Sequence, residues 1–498
     1  MRAARRARPA VLVAAVAALL ALLASALPAA AADTPDAQAR AAARLSRHLV
    51  RAATAAGALR HLREFQRTAD ASGGTRAAGT PGYDRSAAYV HDVLKAAGYR
   101  VAYETFSFPF AAAAPRTLTV RGRTVPVRPL RETAPLPGGG AARGVTGRVA
   151  ALPAGAAPGC AAADYGRPRP GRYRGAIALV ERGGCGIAAK ARAAAAAGAV
   201  AVLAYGGAGG RGPGESRSSA AVVPVGGLTG RDGERLARQA AAAARQGGGA
   251  VTATLGLREV RERRTTRNVI AETPGGDAGH TAVLGAHLDS VPRGPGINDN
   301  GSGAAGLLDV ALALAHSGDR LGHRVRFAWW SAEEEGLLGS TAYVRHLTAA
   351  QLRSVALYLN FDMIASPNHA ELVYDGDGSA PGGPGALPAG SAGLEKGFAD
   401  YLDSRHLPHQ AAEFDGRSDY VPFLAAGVPA GGVFTGAEGV KTREEAEEYG
   451  GRAGVAYDPC YHRACDDLSR VDLAALDTNV DVIAHAVGTY AHDLQGVA

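Results

Sequence analysis

Most of the chain alternates between short runs with the two-residue period of β-strands and longer runs with the apolar spacing of helices. Helical patterns cover residues 59–72 and 85–97, and residues 101–110 alternate as a strand does. The pattern then gives way to a stretch rich in proline, glycine and arginine, and a different composition continues to about residue 262. This change predicts a region inserted into the first domain.

The first pattern resumes after the insertion. Predicted strands cover residues 268–271, 282–286, 324–330 and 354–361, and a helical pattern covers residues 303–316. Three of these strands lead directly into residues that can do chemistry, namely His287, the acidic run at 333–335 and Asp362. Because α/β folds usually carry their sites at the carboxyl ends of their strands, these residues are candidates for one site.

The stretch at residues 285–303 (GAHLDSVPRGPGINDNGSG) joins a predicted strand to a predicted helix. His287 ends the strand, and Asp299 lies in the loop that follows. An imidazole on a strand end and a carboxylate on a returning loop suit a metal site. A structural His–Asp pair is the alternative for these two residues. The three acids at 333–335 have an alternative as well, because acids favour a helix N-terminus.

Length and charge narrow the class of protein. A chain of 498 residues exceeds one ordinary core, so two domains and a processed end are expected. The net charge of +8 is spread along the sequence. The densest basic run, residues 258–267, contains an acid and no interleaved aromatic residue, so it favours a solvated linker over a nucleic-acid site.

Residues 1–32 have the three parts of a secretory signal: early arginines, an apolar core and a run of small residues at the end. A retained membrane anchor is the alternative, but much of the apolar run is alanine. We therefore expect export, signal cleavage and no stable membrane association afterwards. Residues 33–56 are rich in alanine and arginine and are expected to be poorly ordered or removed.

The four cysteines form two local pairs, Cys160 with Cys185 and Cys460 with Cys465. Four cysteines permit three pairings, and an even number in an exported chain favours disulfides. Local pairing is the natural choice because each pair lies within one predicted domain. The spacings do not suit the alternative, a thiolate zinc site.

The inserted region, residues 112–262, resembles a known accessory domain over about residues 140–245. The carrying segments are Gly159-Cys160, RGAIALVERGGC at 174–185 and AGAVAVLAY at 197–205. They are similar to the protease-associated (PA) domain, a small non-catalytic α/β insertion of several exported peptidases. An unrelated α/β insertion is the alternative.

The remaining segments, residues 57–111 and 263–498, resemble the secreted zinc aminopeptidases of the M28 family. The motifs GAHLDS, GINDNGSG, FAWWSAEEEGLLGS, YLNFDMIASPN, DGRSDYVPF, GGVFTGAE and YDPCYHRACDDLS occur in the order and spacing of that family. The resemblance implies a three-layer α/β/α sandwich around a mixed, largely parallel eight-stranded sheet. It also implies removal of N-terminal, preferably large apolar, residues from peptides.

The resemblance further implies a ligand set for two zinc ions: His287 and Asp362 for one, Glu334 and His462 for the other, and Asp299 bridging both. Glu333 would be the general base, and Tyr461 would donate to the developing oxyanion. Two divalent ions a few ångströms apart activate a water molecule and polarise the scissile carbonyl. A cis peptide bond is implied at Asp299–Asn300.

Weaker implications concern the substrate and a further ion. The backbone carbonyl of Arg417 would receive the substrate amine, and Met363 and Phe434 would line an apolar pocket. Asp477 and Asp481 match a calcium-binding pair of some relatives, although the N-terminal partner is missing here. We expect a monomer. The alternatives are a carboxypeptidase, a glutaminyl-cyclase-like acyltransferase, or a metal-free scaffold or receptor.

Overall fold

The protein is described here by a computed structural model, which covers residues 34–129, 144–152, 159–165, 171–183, 185–206, 223–245, 250–380 and 387–497. The chain divides into two compact units. The main unit comprises Met1–Phe106 and Thr265–Ala498, and the inserted unit comprises Ser107–Arg264.

The described helices are α1 (Pro35–Ala52), α2 (Ala55–Asp70), α3 (Pro81–Ala96), α4 (Ile187–Ala196), α5 (Gly230–Arg245), α6 (Gly303–Ser317), α7 (Leu338–His346), α8 (Ala349–Ser354), α9 (Ser391–Ser404), α10 (Val421–Ala425), α11 (Arg443–Tyr449) and α12 (Leu473–Tyr490). The described strands are β1 (Arg100–Val120), β2 (Arg123–Pro126), β3 (Arg128–Pro129), β4 (Val145–Ala151), β5 (Ala176–Glu181), β6 (Ala201–Tyr205), β7 (Val225–Gly227), β8 (Thr252–Glu272), β9 (Asp277–His287), β10 (His323–Trp330), β11 (Val355–Phe361), β12 (Leu372–Tyr374), β13 (Gln410–Ala412) and β14 (Ala430–Phe434).

The main unit contains the mixed eight-stranded sheet that the family resemblance implies, in the order β13-β12-β14-β11-β9-β10-β8-β1. Its centre is parallel, because β9 pairs in parallel with β10 and β11, and β11 pairs in parallel with β14. Successive residues of β9 enter different cores: Leu284 packs in one apolar cluster and Val283 in another. Since neighbouring side chains of a strand point to opposite faces, the sheet is covered on both sides. The three-layer fold is confirmed.

The inserted unit is built around parallel strands. β4, β5, β6 and β7 pair in parallel in that order, and β3 and β8 pair antiparallel with β7 and β4. The central strands β5 and β6 are buried almost throughout, as expected for parallel strands covered on both faces. The Cys160–Cys185 disulfide lies in this unit and is confirmed.

The expectation of a poorly ordered segment at 33–56 is wrong for most of its length. Thr34 caps α1, and Leu45 and Leu49 on that helix are buried in the main core. The helix lies against α12, and Ser46 hydrogen-bonds His485 at 2.9 Å. Leucines four positions apart form one apolar stripe, which stabilises the helix by packing.

The predicted signal at residues 1–32 lies outside the described residues. Among the helices that the structure describes, none is both long and apolar enough to cross a membrane.

Candidate metal centre

Parallel pairing brings three strand ends to one edge of the main sheet. His287 is the last residue of β9 and lies opposite Trp330, the last residue of β10. The chain continues from β10 to Glu333 and Glu334, and from β11 to Asp362. Residues that are far apart in the sequence therefore meet because their strands run in the same direction.

The acidic and histidine side chains form two adjoining groups that share one carboxylate. In the first group, His287 Nε2 lies 3.3 Å from Asp299 Oδ1 and 3.3 Å from Asp362 Oδ1. In the second, His462 Nε2 lies 2.9 Å from Asp299 Oδ2 and 3.2 Å from Glu334 Oε2. The potential ligand atoms within each group all lie within 4.8 Å of one another. All five residues with predicted ligand roles are thus brought together.

The chemistry of this donor set fits bound cations. Burial alone would lower the pKa of His287, but the carboxylates of Asp362 and Glu333 outweigh it and hold the pKa well above its usual value. Burial would also lower the pKa of His462, but the carboxylates of Glu334 and Asp299 outweigh this effect and raise the pKa above its usual value. The site therefore attracts positive charge strongly.

Buried polar atoms of the site that lack hydrogen bonds also indicate a place for a cation. His287 Nε2, Asp299 Oδ2 and Asp362 Oδ1 are buried close to one another's groups, yet none makes a well-directed hydrogen bond to a described residue. Buried polar atoms in proteins are rarely left in that state unless they bind something else. Imidazole nitrogens and carboxylate oxygens are the usual ligands of zinc, so the residues present fit such an ion.

Another buried acid, Asp466, fixes the backbone of the loop that carries Asp299. Asp466 accepts the backbone N–H groups of Asn298 at 2.7 Å and Asp299 at 3.1 Å. The Asp299–Asn300 peptide bond is cis, as the family resemblance implied. The Asn300 side chain donates to the carbonyl of Phe361 at 2.9 Å, which joins the loop to the end of β11.

Asp289 is a functional residue that the sequence analysis missed. It is buried, and its carboxylate accepts the backbone N–H groups of Glu333 at 3.2 Å and Glu334 at 3.4 Å. His287 Nδ1 lies 3.1 Å from the backbone oxygen of Asp289. A hydrogen on Nδ1 would leave Nε2 available to a metal ion, a common arrangement around metal-binding histidines. The sequence signal that could have identified Asp289 is its position, two residues after a histidine at the end of a predicted strand.

Two more supporting side chains were missed. Ser418 donates to Asp362 Oδ2 at 2.6 Å, so the other carboxylate oxygen faces His287. Arg76 is fully buried, and its guanidinium donates to the carbonyls of Leu288, Pro295 and Gly296. It thereby holds both ends of the segment between His287 and Asp299.

Beside the candidate metal-binding groups lies a small apolar surface. Met363, Ala437 and Tyr461 are buried against one another, and Phe434 packs against them. Met363 comes just after strand β11, and Phe434 is the last residue of strand β14. Both therefore lie at the same sheet edge as His287. The Arg417 guanidinium donates to the Tyr461 hydroxyl at 3.2 Å. The predicted substrate-binding residues are therefore neighbours in space.

The loop that carries His462 is closed by the Cys460–Cys465 disulfide, which is confirmed. Tyr461 and His462 lie between the two cysteines, with their rings stacked at a centroid distance of 3.6 Å. His462 has a positive φ of 58°, a backbone conformation that non-glycine residues rarely adopt.

The predicted calcium pair lies away from this site, on α12. Asp481 forms an ion pair with Arg405 at 3.0 Å, and Asp477 accepts the backbone N–H of Ala55 at 3.1 Å. Both carboxylates thus have protein partners. Among the described residues, a third group of potential ligands consists of Asp375, Asp377 and Glu395.

Similarity to known proteins agrees with this geometry. Residues 268–487 match the model of peptidase family M28, and residues 145–236 match that of the PA domain. A Mycobacterium tuberculosis protein named as a probable lipoprotein aminopeptidase is 41% identical over 441 residues, which cover 88% of this chain and 85% of that protein. This chain belongs to peptidase family M28. The M28 assignment and the PA domain, both implied by the sequence motifs, are confirmed.

Other similar proteins place the M28 chain among enzymes of the same fold. Leucine aminopeptidase 2 of Trichophyton rubrum is 46% identical over 339 residues, covering 68% of this chain and 66% of the fungal protein. A solved structure of a zinc aminopeptidase from Bacillus subtilis superimposes with a TM-score of 0.65 at 24% identity, covering 89% of this chain and 99% of that one. The similarity to the Bacillus subtilis structure shows that the fold is shared.

Proposed function

We propose that this M28 protein is an aminopeptidase that uses two zinc ions and Glu333 as its general base. The observation that carries the proposal is the sharing of Asp299 between His287 and His462 at one sheet edge. One ion would be held by His287 and Asp362, the other by Glu334 and His462, and Asp299 would bridge them. The names of the related aminopeptidases support the same activity.

Two bound zinc ions would supply an activated water molecule and a Lewis acid for the scissile carbonyl. Glu333 is buried next to this centre, with its Oε2 atom 3.8 Å from His287 Nε2. Its backbone is fixed by Asp289, so its carboxylate can take a proton from water and return it to the leaving amine. Tyr461 would donate its phenolic hydrogen to the oxyanion.

The surroundings of the centre also favour an N-terminal substrate. A free α-ammonium needs acceptors, and Glu333, Asp362 and the backbone carbonyl of Arg417 would supply them. A carboxypeptidase needs a cation for the terminal carboxylate instead. The nearby cation, Arg417, is already neutralised by Glu438, whose two oxygens both lie 3.0 Å from its Nη2 atom. The arrangement therefore favours the aminopeptidase.

The apolar surface of Met363, Ala437 and Phe434 would receive the first side chain of the substrate. Each buried CH₂ group contributes about 0.8 kcal/mol, so leucine should be preferred over alanine by a few kcal/mol at most. We further propose that the protein acts outside the cell after cleavage of residues 1–32, as a monomer on peptide N-termini.

The test is a panel of aminoacyl amides compared by kcat/KM. Leucyl amide should be cleaved faster than alanyl amide, aspartyl amide poorly, and N-acetyl-leucyl amide hardly at all. Comparable values for the free and acetylated leucyl amides would refute recognition of the amine. Release of C-terminal residues, or cyclisation of an N-terminal glutamine without hydrolysis, would instead support the two alternative enzymes.

A further inference from the structure

The Glu438 carboxylate and the Arg417 guanidinium, at the rim of the site beside Tyr461, have no role in the proposed chemistry. Glu438 lies next to Ala437 of the apolar surface, and its carboxylate binds Arg417 Nη2 through both oxygens at 3.0 Å. The same Nη2 atom donates to the Tyr461 hydroxyl at 3.2 Å. Arg417 and Glu438 are each about one-third exposed, whereas Tyr461 is buried.

The chemistry of arginine fixes the direction of the hydrogen bond between Arg417 and Tyr461. A guanidinium carries only donors, so the Tyr461 oxygen must be the acceptor of its contact with Arg417. The phenolic hydrogen consequently points away from Arg417. The Tyr461 ring is stacked on that of His462, which places the hydroxyl beside a predicted metal ligand.

The position of the guanidinium depends on its carboxylate partner. A flexible arginine side chain loses considerable rotamer freedom when it is held in one geometry, and a charge-assisted contact to two oxygens offsets that loss. Asp415 lies farther from the guanidinium, with Oδ2 3.6 Å from Nη1, and so holds it less firmly. Glu438 is therefore the residue that keeps Arg417 against Tyr461.

We propose that Glu438 is a positioning residue, which acts through Arg417 to direct the Tyr461 hydroxyl hydrogen towards the reacting carbonyl. This inference rests on the proposed role of Tyr461. Loss of the Glu438 charge should then reduce kcat with little change in KM, because the interaction strengthens only as the oxyanion forms.

The test is a double-mutant cycle with zinc content measured for every variant. Glu438→Gln should lower kcat about tenfold in the wild-type background, within the usual range for residues that are directly coupled. In a Tyr461→Phe background the same change should alter kcat less than about twofold, since the hydroxyl it orients is gone. Arg417→Met should lower kcat too and should not add to Glu438→Gln. The matched control is Glu444→Gln, an exposed glutamate on α11, which should leave kcat unchanged.

The outcomes separate this inference from the proposed function. If Tyr461→Phe alone retains full kcat, the proposed role of Tyr461 fails and this inference fails with it. If Tyr461→Phe is impaired but Glu438→Gln lowers kcat equally in both backgrounds, only the positioning role is refuted. A rise in KM alone would identify Glu438 as a substrate contact and would also refute it.

Discussion

His287 and His462 direct their Nε2 atoms at opposite oxygens of one carboxylate, that of Asp299, at distances of 3.3 and 2.9 Å. The first histidine ends a central strand, and the second lies in a loop closed by a disulfide. Their convergence on one carboxylate is the observation that supports the proposed bridged pair of ions.

Asp299→Asn should weaken the binding of both zinc ions, whereas Asp362→Asn should weaken mainly one. The reason is that only Asp299 is shared between the two ligand groups. Loss of a residue that merely supports a ligand costs about 10–100-fold in metal affinity, so loss of the bridge should cost at least ~10²-fold. Titration of the metal-free proteins with zinc against a competing chelator would measure this. Asp319→Asn, on an exposed loop, is the control, and a selective loss of one ion in Asp299→Asn would contradict a bridging role.

Replacing residues 107–264 with a short linker should leave zinc binding and cleavage of leucyl amide intact. All residues proposed to bind metal or substrate belong to the main unit, and the inserted unit has its own apolar cores. The measurement is zinc content together with kcat/KM for leucyl amide and for a long peptide. A folded deletion variant that no longer binds zinc would show that the insertion is more than an accessory domain.

Glu371 should make the protein less stable as the pH rises from about 4.5 to about 8. It is buried, and burial raises its pKa from 4.5 to about 8, although a hydrogen bond from Asn479 opposes the shift. In this interval the unfolded chain has lost the proton and the folded chain retains it, so the free energy of unfolding falls with increasing pH.

Glu371→Gln should remove this contribution. The gain in melting temperature over the wild type should be larger at pH 9 than at pH 5, and Glu444→Gln should show no such trend. An equal effect of Glu371→Gln at both pH values would indicate that Glu371 is ionised in the folded protein throughout.

The general layout of the fold and the candidate ligands could be predicted because the signals were local. His287, Glu334 and Asp362 each follow an apolar run that ends at the same sheet edge, and their motifs have the order of a known family. The supporting contacts could not be predicted in the same way. Arg76 reaches the loop before Asp299 from the distant loop between α2 and α3, and no spacing in the sequence predicts its three carbonyl partners.

Two other residues have partners in space that local patterns do not indicate. Asp481, half of the calcium pair that the family resemblance implies, forms an ion pair with Arg405 at the end of α9. Leu45 lies in an alanine- and arginine-rich stretch that looks unstructured, but its contact with the main core orders α1. In both cases the partner is far away along the chain.

The most direct test of the two-metal mechanism is the zinc stoichiometry and kcat of Glu333→Gln measured beside the wild type. Glu333 lies next to Glu334 in the chain but is proposed to move a proton rather than to bind metal. Both proteins should therefore contain two zinc ions per chain, while the variant loses at least ~10²-fold in kcat, the usual scale for a general base. His462→Ala, in contrast, should lose zinc together with activity. A Glu333→Gln variant with two zinc ions and near-wild-type kcat would contradict the account.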